Sequence, residues 1–257
     1  MNFYTSIAPY YDLLFPYDET QIKFLEAVLS PSLSRIDIRK GSANVSTRGY
    51  LDVGCGTGTI LSAFTDQFHR LAGIDLDAEL LKLAAEKMYP GEEERVELLE
   101  EDMLEIRTVF REETFSFITC LGNTIPHLAG ERDVFLFFST IFDCLDAGGV
   151  FVFQMINYDR ILDGDIRGLD TIDRGKITFE RQYSALKADG HIDFDTILND
   201  EANDIIIKNS VELYPIRKGQ AAAFLKKAGF SSTAFFGSFD GEPYVSDSLL
   251  LIGVCSK

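Results

Sequence analysis

The sequence predicts an α/β fold: a seven-stranded, mostly parallel sheet with helices on both faces and an antiparallel β-meander inserted after the fifth strand. Three observations carry this reading. Residues 50–156 alternate short apolar runs with helical patterns, five strands deep. The stretch Tyr50–Ile60, Y-L-D-V-G-C-G-T-G-T-I, stops a strand at a glycine-rich turn and restarts as a helix. Such a turn is expected to present bare backbone N–H groups and a positive dipole end to a ligand. Between 157 and 215 the hydrophobic period then shortens to two.

The elements follow in order. Residues 1–30 hold two helical patterns broken at Pro16: a stripe of Tyr4, Ile7, Tyr10, Tyr11 and Leu14, then one of Ile22, Leu25, Val28 and Leu29. They are expected to form a helical cover, with Tyr11 its candidate contact to a cofactor. Residues 31–49 are polar, lack periodicity and read as a connector. The first strand ends in Asp52, with glycines at 54, 56 and 58 after it. A second strand, Arg70–Ile74, ends in Asp75-Leu76-Asp77. Asp75 stands where a carboxylate accepts from ribose hydroxyls, and Asp77 is placed to cap a helix over Ala78–Tyr89. The third strand, Arg95–Leu99, runs into Glu100-Glu101-Asp102-Met103.

The fourth strand, Phe115–Leu121, leads into Gly122-Asn123-Thr124-Ile125-Pro126-His127-Leu128. A helix over Glu131–Leu145 is stopped by Ala147-Gly148-Gly149, and Val150–Ile156 is apolar enough for a central parallel strand. The meander comprises Lys176–Leu186, His191–Asn199 and Asp204–Tyr214. A helix over Lys218–Ala228 ends at Gly229, and the strands Thr233–Phe239 and Ser248–Cys255 complete the seven.

The glycine spacing selects the ligand class. A dinucleotide fingerprint, G-x-G-x-x-G, needs glycine or alanine where this chain has Thr59. The element acid-x-G-x-G-x-G instead resembles motif I of the class I S-adenosylmethionine (SAM) dependent methyltransferases. The resemblance implies a Rossmann-like sheet, with residues 1–257 as a single methyltransferase domain, residues 1–30 its helical cover and 157–215 an insertion over the active site. It implies that Asp52 reaches the methionine ammonium of SAM. Gly54, Cys55, Gly56 and Gly58 would let the backbone approach the cofactor. Asp75 and Leu76 fall at the ribose end, Asp102 meets the adenine amino group and Met103 packs on the adenine ring. S-adenosylhomocysteine is the implied product.

Two further segments, C-L-G-N-x-x-x-H-L at 120–128 and N-Y-D-x-I-L at 157–162, resemble the glycine and sarcosine N-methyltransferases and their bacterial relatives. In that family the Leu-Gly backbone, here Leu121-Gly122, borders the methionine part of SAM. The asparagine, here Asn123, faces the acceptor and is the candidate catalytic residue. Those enzymes carry an arginine just before the N-Y-D segment to grip a substrate carboxylate, and this chain has Ile156 there. Glycine and sarcosine are therefore not the expected acceptors. A small-molecule amine is expected, with an O- or C-acceptor, or a non-catalytic SAM-binding role, as alternatives. Roles for His127, Tyr158 and Tyr183 stay open, although the position of His127 after Asn123 suggests a structural residue in the following helix.

Bulk properties narrow the partners. Twenty-four Lys and Arg against 41 Asp and Glu leave a charge of −17, which repels nucleic acid and anionic membrane surfaces and favours a neutral or cationic small acceptor. The four cysteines form no C-x-x-C pair and the three histidines have no zinc-like spacing, so free thiols and no metal are expected. With no signal-peptide pattern and no apolar run of the roughly 20 residues that span a bilayer, a cytoplasmic protein is expected. The meander could also support a homodimer.

Overall fold

The computed structural model describes residues 3–30, 49–88, 95–111 and 113–257. The expected connector therefore lies outside the described residues except for Gly49, as does Tyr89 at the end of the helix predicted over Ala78–Tyr89. The described chain begins with α1 (Phe3–Ile7), a 3-10 turn at Ala8–Tyr10, α2 (Tyr11–Leu14) and α3 (Glu19–Leu29). Pro9 has no N–H to donate, so the stripe expected from Tyr4 to Leu14 is broken by a tight turn. Asp18 caps α3 by accepting the Thr20 N–H.

The alternation then runs β1 (Gly49–Val53), α4 (Thr59–Ala63), β2 (Arg70–Asp75), α5 (Ala78–Lys87), β3 (Val96–Glu100), α6 (Ile106–Val109), β4 (Phe115–Cys120), α7 (Glu131–Cys144) and β5 (Leu145–Ile156). A short α8 (Tyr158–Asp163) precedes β6 (Gly168–Asp173), β7 (Ile177–Tyr183), β8 (Ile192–Asp200) and β9 (Ile205–Leu213). The chain closes with α9 (Lys218–Ala228), β10 (Ser232–Phe236) and β11 (Leu250–Ser256).

The expected seven-stranded sheet has the order β10-β11-β5-β4-β1-β2-β3. All its pairs are parallel except those made by β11. Successive residues feed opposite faces, as the pleat requires. Leu51, Ile118, Phe151 and Phe153 join one core with Phe137, Phe138 and Leu225 from α7 and α9. Tyr50, Phe117, Val150 and Val152 join the other with Leu25, Leu61 and Phe64 from α3, α4 and the residue after it. The strand order reverses between β1 and β4, and it is at such a switch point that open α/β sheets bind ligands.

The insertion holds four strands, in the order β6-β7-β8-β9, rather than the three expected. Leu169 and Ile172 are the only apolar residues in β6 and are three apart, so period two does not reveal it; the register slips between them. A second difference lies at Leu145–Gly149. The predicted glycine stop is the irregular start of β5, whose pairing with β4 shifts between Phe115–Leu145 and Phe117–Val150.

The N-terminal segment lies between the two sheets. Phe3, Ile7 and Leu14 pack with Phe179 and Leu198 of the insertion. The Tyr10 hydroxyl donates to Asp200, and Arg174 donates to the Leu13 carbonyl. Toward the larger sheet, Thr5 donates to Asp77, and Lys87 bridges Asp12, Thr57 and Thr59 at 2.7–2.9 Å. Gly253 of β11 lies in register with Phe153, whose ring occupies the space a Cβ would need. Gly253→Ala is therefore expected to destabilise the protein by about 1–3 kcal/mol through overpacking. Urea denaturation checks this; an unchanged midpoint would show that the ring can turn aside.

Candidate active site

The carboxyl ends of β1, β2 and β4 open into two adjoining cavities of about 360 Å³ and 150 Å³. Tyr4, Tyr11, Gly54, Gly122 and His127 line both. The turn after β1 holds Gly54 and Gly58 at φ +70°, in the left-handed region. A Cβ on Gly54 would meet Thr124 at 2.6 Å, so only glycine lets the Thr124 turn close over β1.

Four N–H groups of this turn, those of Gly54, Cys55, Gly56 and Gly58, are not bare, contrary to the sequence expectation. Gly54 and Cys55 both donate to the Ile74 carbonyl, at 2.8 and 3.0 Å. Gly56 donates to an Asp75 carboxylate oxygen at 2.8 Å, and Gly58 donates to the Cys55 carbonyl. β2 runs directly beside β1, and its end uses these donors first.

Asp52 is 3 % exposed and lines the larger cavity. The buried Tyr50 hydroxyl lies 2.8 Å from Thr119 Oγ1, and Thr119 donates its proton to Asp52 at 2.5 Å. Because Thr119 spends its only proton on Asp52, Tyr50 must donate to Thr119. Burial nevertheless pushes the Asp52 carboxyl up to about 7, against the Thr119 bond. Asp75 is raised as well, by burial first, despite N–H bonds from Asp77 and Gly56.

The other predicted residues divide. Cys55, Leu121 and Asn123 line the larger cavity, and Asp75, Leu76 and Met103 line the smaller; Tyr11, Gly54 and Gly122 serve both. Leu76 is 57 % exposed, an apolar surface beside the smaller cavity. Gly56, Gly58 and Asp102 line neither cavity. Gly56 lies under the Tyr11 ring. Gly58 serves helix packing, since a Cβ there would lie 2.9 Å from Ala84 of α5. The Asp102 carboxylate accepts the Leu104 N–H and so closes the turn after β3.

Asn123 has φ +67° and a side chain already engaged. Its amide oxygen accepts the Ile156 N–H at 3.0 Å, and its amide pairs with the Tyr158 hydroxyl at 3.0–3.2 Å. It lines the cavity while bracing the end of β4 against that of β5. His127 lies in a 3-10 turn (Ile125–His127), not in a longer helix, and its Nε2 is 2.9 Å from the Tyr4 hydroxyl. Burial lowers its pKa to about 4, so the ring is neutral at ordinary pH. Tyr183 lines the larger cavity and is pushed up to about 12 by burial, whereas Tyr158 lines neither cavity.

Sequence reasoning passed over Gln154, Phe179, Arg181 and Phe194, which also line the larger cavity. Gln154 accepts the Gly122 N–H at 2.8 Å. Its signal was present, as the one polar residue within the apolar run Val150–Ile156. Among the described residues no cluster of His, Cys, Asp or Glu could hold a metal ion, and no helix is long and apolar enough to cross a membrane.

Comparison with known proteins agrees with this geometry. Residues 51–149 match the model of the methyltransferase domain. The Bacillus subtilis (strain 168) protein YqeM, named for methyl transfer, is 30% identical over 163 residues, covering 62% of this chain and 58% of YqeM. The chain thus spans less than two thirds of that relative. The glycine/sarcosine N-methyltransferase of Aphanothece halophytica is 24% identical over 211 residues, covering 80% of this chain and 75% of the enzyme. An S-adenosylmethionine-dependent methyltransferase structure from Clostridium acetobutylicum ATCC 824 has the same fold, with a TM-score of 0.75, 16% identity and 99% coverage of both chains. CalS10, an amino pentose methyltransferase from Micromonospora echinaspora solved with SAM bound, aligns with a TM-score of 0.68, 21% identity, and 100% and 98% coverage. Motif, topology and matched domain coincide at the end of β1: residues 51–149 match a methyltransferase domain, within a chain that has the fold of SAM-dependent methyltransferases.

Proposed function

We propose that this protein transfers the methyl group of SAM to the nitrogen of a small-molecule amine. One observation supports the reading above the rest: the turn after β1 is built for a cation. The N–H groups of Gly54, Cys55, Gly56 and Gly58 are spent on Ile74, Asp75 and Cys55, so its glycines offer no donor to a pyrophosphate, while a buried carboxylate faces the cavity beside it. An ammonium is the partner that relieves the burial of Asp52. Asp75 then offers lone pairs to ribose hydroxyls, and Leu76 and Met103 supply apolar surface for a flat base.

When bound, SAM supplies a methyl group made electrophilic by its sulfonium. The protein's task is to hold an unprotonated lone pair in line with that methyl and to exclude water. Tyr4, Tyr11 and Tyr183 are hydroxyls whose pKa values burial raises, so they orient an acceptor rather than deprotonate it. Neutral His127 is too weak a base for an alcohol at a pKa of about 4. A neutral amine needs no base, and the resemblance to a glycine/sarcosine N-methyltransferase supports the same choice. Asn123 acts in this reading as a positioning residue, setting the β4 and β5 ends that carry Gly122 and Ile156.

Two measurements test this. Because Asp52 ionises near pH 7 in the free protein, S-adenosylhomocysteine affinity measured by calorimetry should rise about tenfold from pH 6 to pH 8 as the carboxylate forms. Asp52→Asn should flatten that dependence and weaken binding roughly 10–100-fold. A wild-type profile flat across this range would remove Asp52 from the cofactor site.

For catalysis, the protein with SAM is offered matched amines and alcohols, and methylated product is followed by mass spectrometry. With SAM saturating at every pH, the amine should be consumed, with kcat/KM rising toward the amine's own pKa. His127→Gln should retain activity within about tenfold. A fall of the roughly 10²–10⁴-fold that general-base loss brings, with alcohols as the methylated products, would assign O-methylation instead.

A further inference from the structure

We propose that Arg181 is the anion-recognition residue of the acceptor pocket, and that the acceptor joins a carboxylate to an apolar or aromatic body. The inference rests on the methyl-transfer reading above. Alternation along β7 turns Phe179, Arg181 and Tyr183 toward the larger cavity, while Glu180 and Gln182 are exposed. Arg181 is the only Lys or Arg among the described residues lining that cavity, in a chain with an excess of acids.

Its bonding is incomplete. One terminal nitrogen donates to the Asp170 carbonyl at 2.6 Å, but the buried Nε has no partner. Directly across the strand pair, Thr196 is 2 % exposed and its hydroxyl is also without a partner. Thr196 lines neither cavity, so of these two unspent donors only the guanidinium stands where a ligand in the larger cavity could relieve the cost of its incomplete bonding. Burial lowers the arginine's pKa, in line with a cation that has no full counter-charge.

A guanidinium edge fits the two oxygens of a carboxylate. Phosphate shares that fit, yet Asp18 and Asp52 line the same cavity and repel a dianion more strongly than a monoanion. Phe179, Tyr183 and Phe194 supply the apolar wall around it. An acceptor carrying both amine and carboxylate is neutral overall, which agrees with the net charge of −17. Ile156, which cannot hold a carboxylate, then leaves that task to the insertion instead of the larger sheet.

The test is calorimetric titration of benzoate, benzamide and phenyl phosphate into wild type, Arg181→Gln and Arg181→Lys, each free and saturated with S-adenosylhomocysteine. Benzoate should bind the saturated wild type at least about tenfold more tightly than benzamide. Arg181→Gln should erase that preference with S-adenosylhomocysteine affinity unchanged, and Arg181→Lys should keep part of it. No benzoate binding, a preference that survives in Arg181→Gln, or phenyl phosphate bound in place of benzoate would each overturn the proposal. Failure of S-adenosylhomocysteine to bind wild type would instead sink the methyl-transfer reading, and benzoate binding to the free protein would still decide Arg181.

Discussion

Burying a carboxylate at the end of the central strand is the constraint around which the rest is arranged. Asp52 is held by one hydroxyl, from Thr119 on the neighbouring strand, and that hydroxyl is oriented in turn by Tyr50. Two residues apart, Tyr50 and Asp52 share a face of β1, so the relay depends on the β1–β4 register that pairs Asp52 with Thr119. That register is secured beneath the site by Tyr50, Phe64, Phe68 and Phe117, whose rings lie 5.1–6.3 Å apart. The aromatic cluster thus positions a group to which it contributes only one hydroxyl. Without a cation the arrangement leaves a carboxyl near neutrality, and the fold holds this electrostatic tension in reserve for its ligand.

A second constraint comes from the cover. The N-terminal segment ties the two sheets together, with Asp77 serving twice, as the α5 cap and as the acceptor for Thr5. Lys87 gathers Asp12, Thr57 and Thr59 at one point, so the cover and the turn after β1 are held by the same cation. Tyr11 reaches Gly56 from this anchor, close enough that even a methyl group there would press on its ring. Opening the site therefore requires breaking several modest polar contacts together, in a segment whose helices are too short to persist alone. The same segment presents Tyr4 to His127, so its docking also completes the wall of the smaller cavity.

The larger sheet was legible because its signals are local. Short strands rich in apolar residues, glycines at fixed intervals and acids at strand ends report their own positions, and Asp52, Asp75 and Met103 line the cavities at those strand ends. Residues whose role depends on distant partners were harder to read. Asn123 carries a turn signal in sequence, but its bond to the Ile156 N–H appears only when β4 and β5 are paired. Gly58 looks like its sister glycines until α5 folds against it. The N–H groups of Gly54, Cys55 and Gly56 look free until β2 arrives beside them. β6 was missed because an edge strand with one slipped pair needs no alternation.

This contrast bears on how such a scaffold changes acceptor. Groups on the cofactor side sit on turns at strand ends, where a shifted residue would break both a hydrogen bond and a close backbone approach. Groups on the proposed acceptor side sit on the inward face of a two-sided strand, at positions 179, 181 and 183, with register partners on the strands to either side. Exchanging one of these alters the chemistry of the cavity while the backbone ladder is left intact, because ladder bonds do not depend on side-chain identity. Ile156 and Arg181 illustrate the difference in freedom. The first gives its backbone N–H to the Asn123 strut; the second is joined to its neighbours by the strand ladder and by one side-chain bond, to the Asp170 carbonyl. If Arg181 recognises the acceptor as proposed, acceptor identity is written on the side chains of the inserted sheet, and its physical record is an unspent donor instead of a motif.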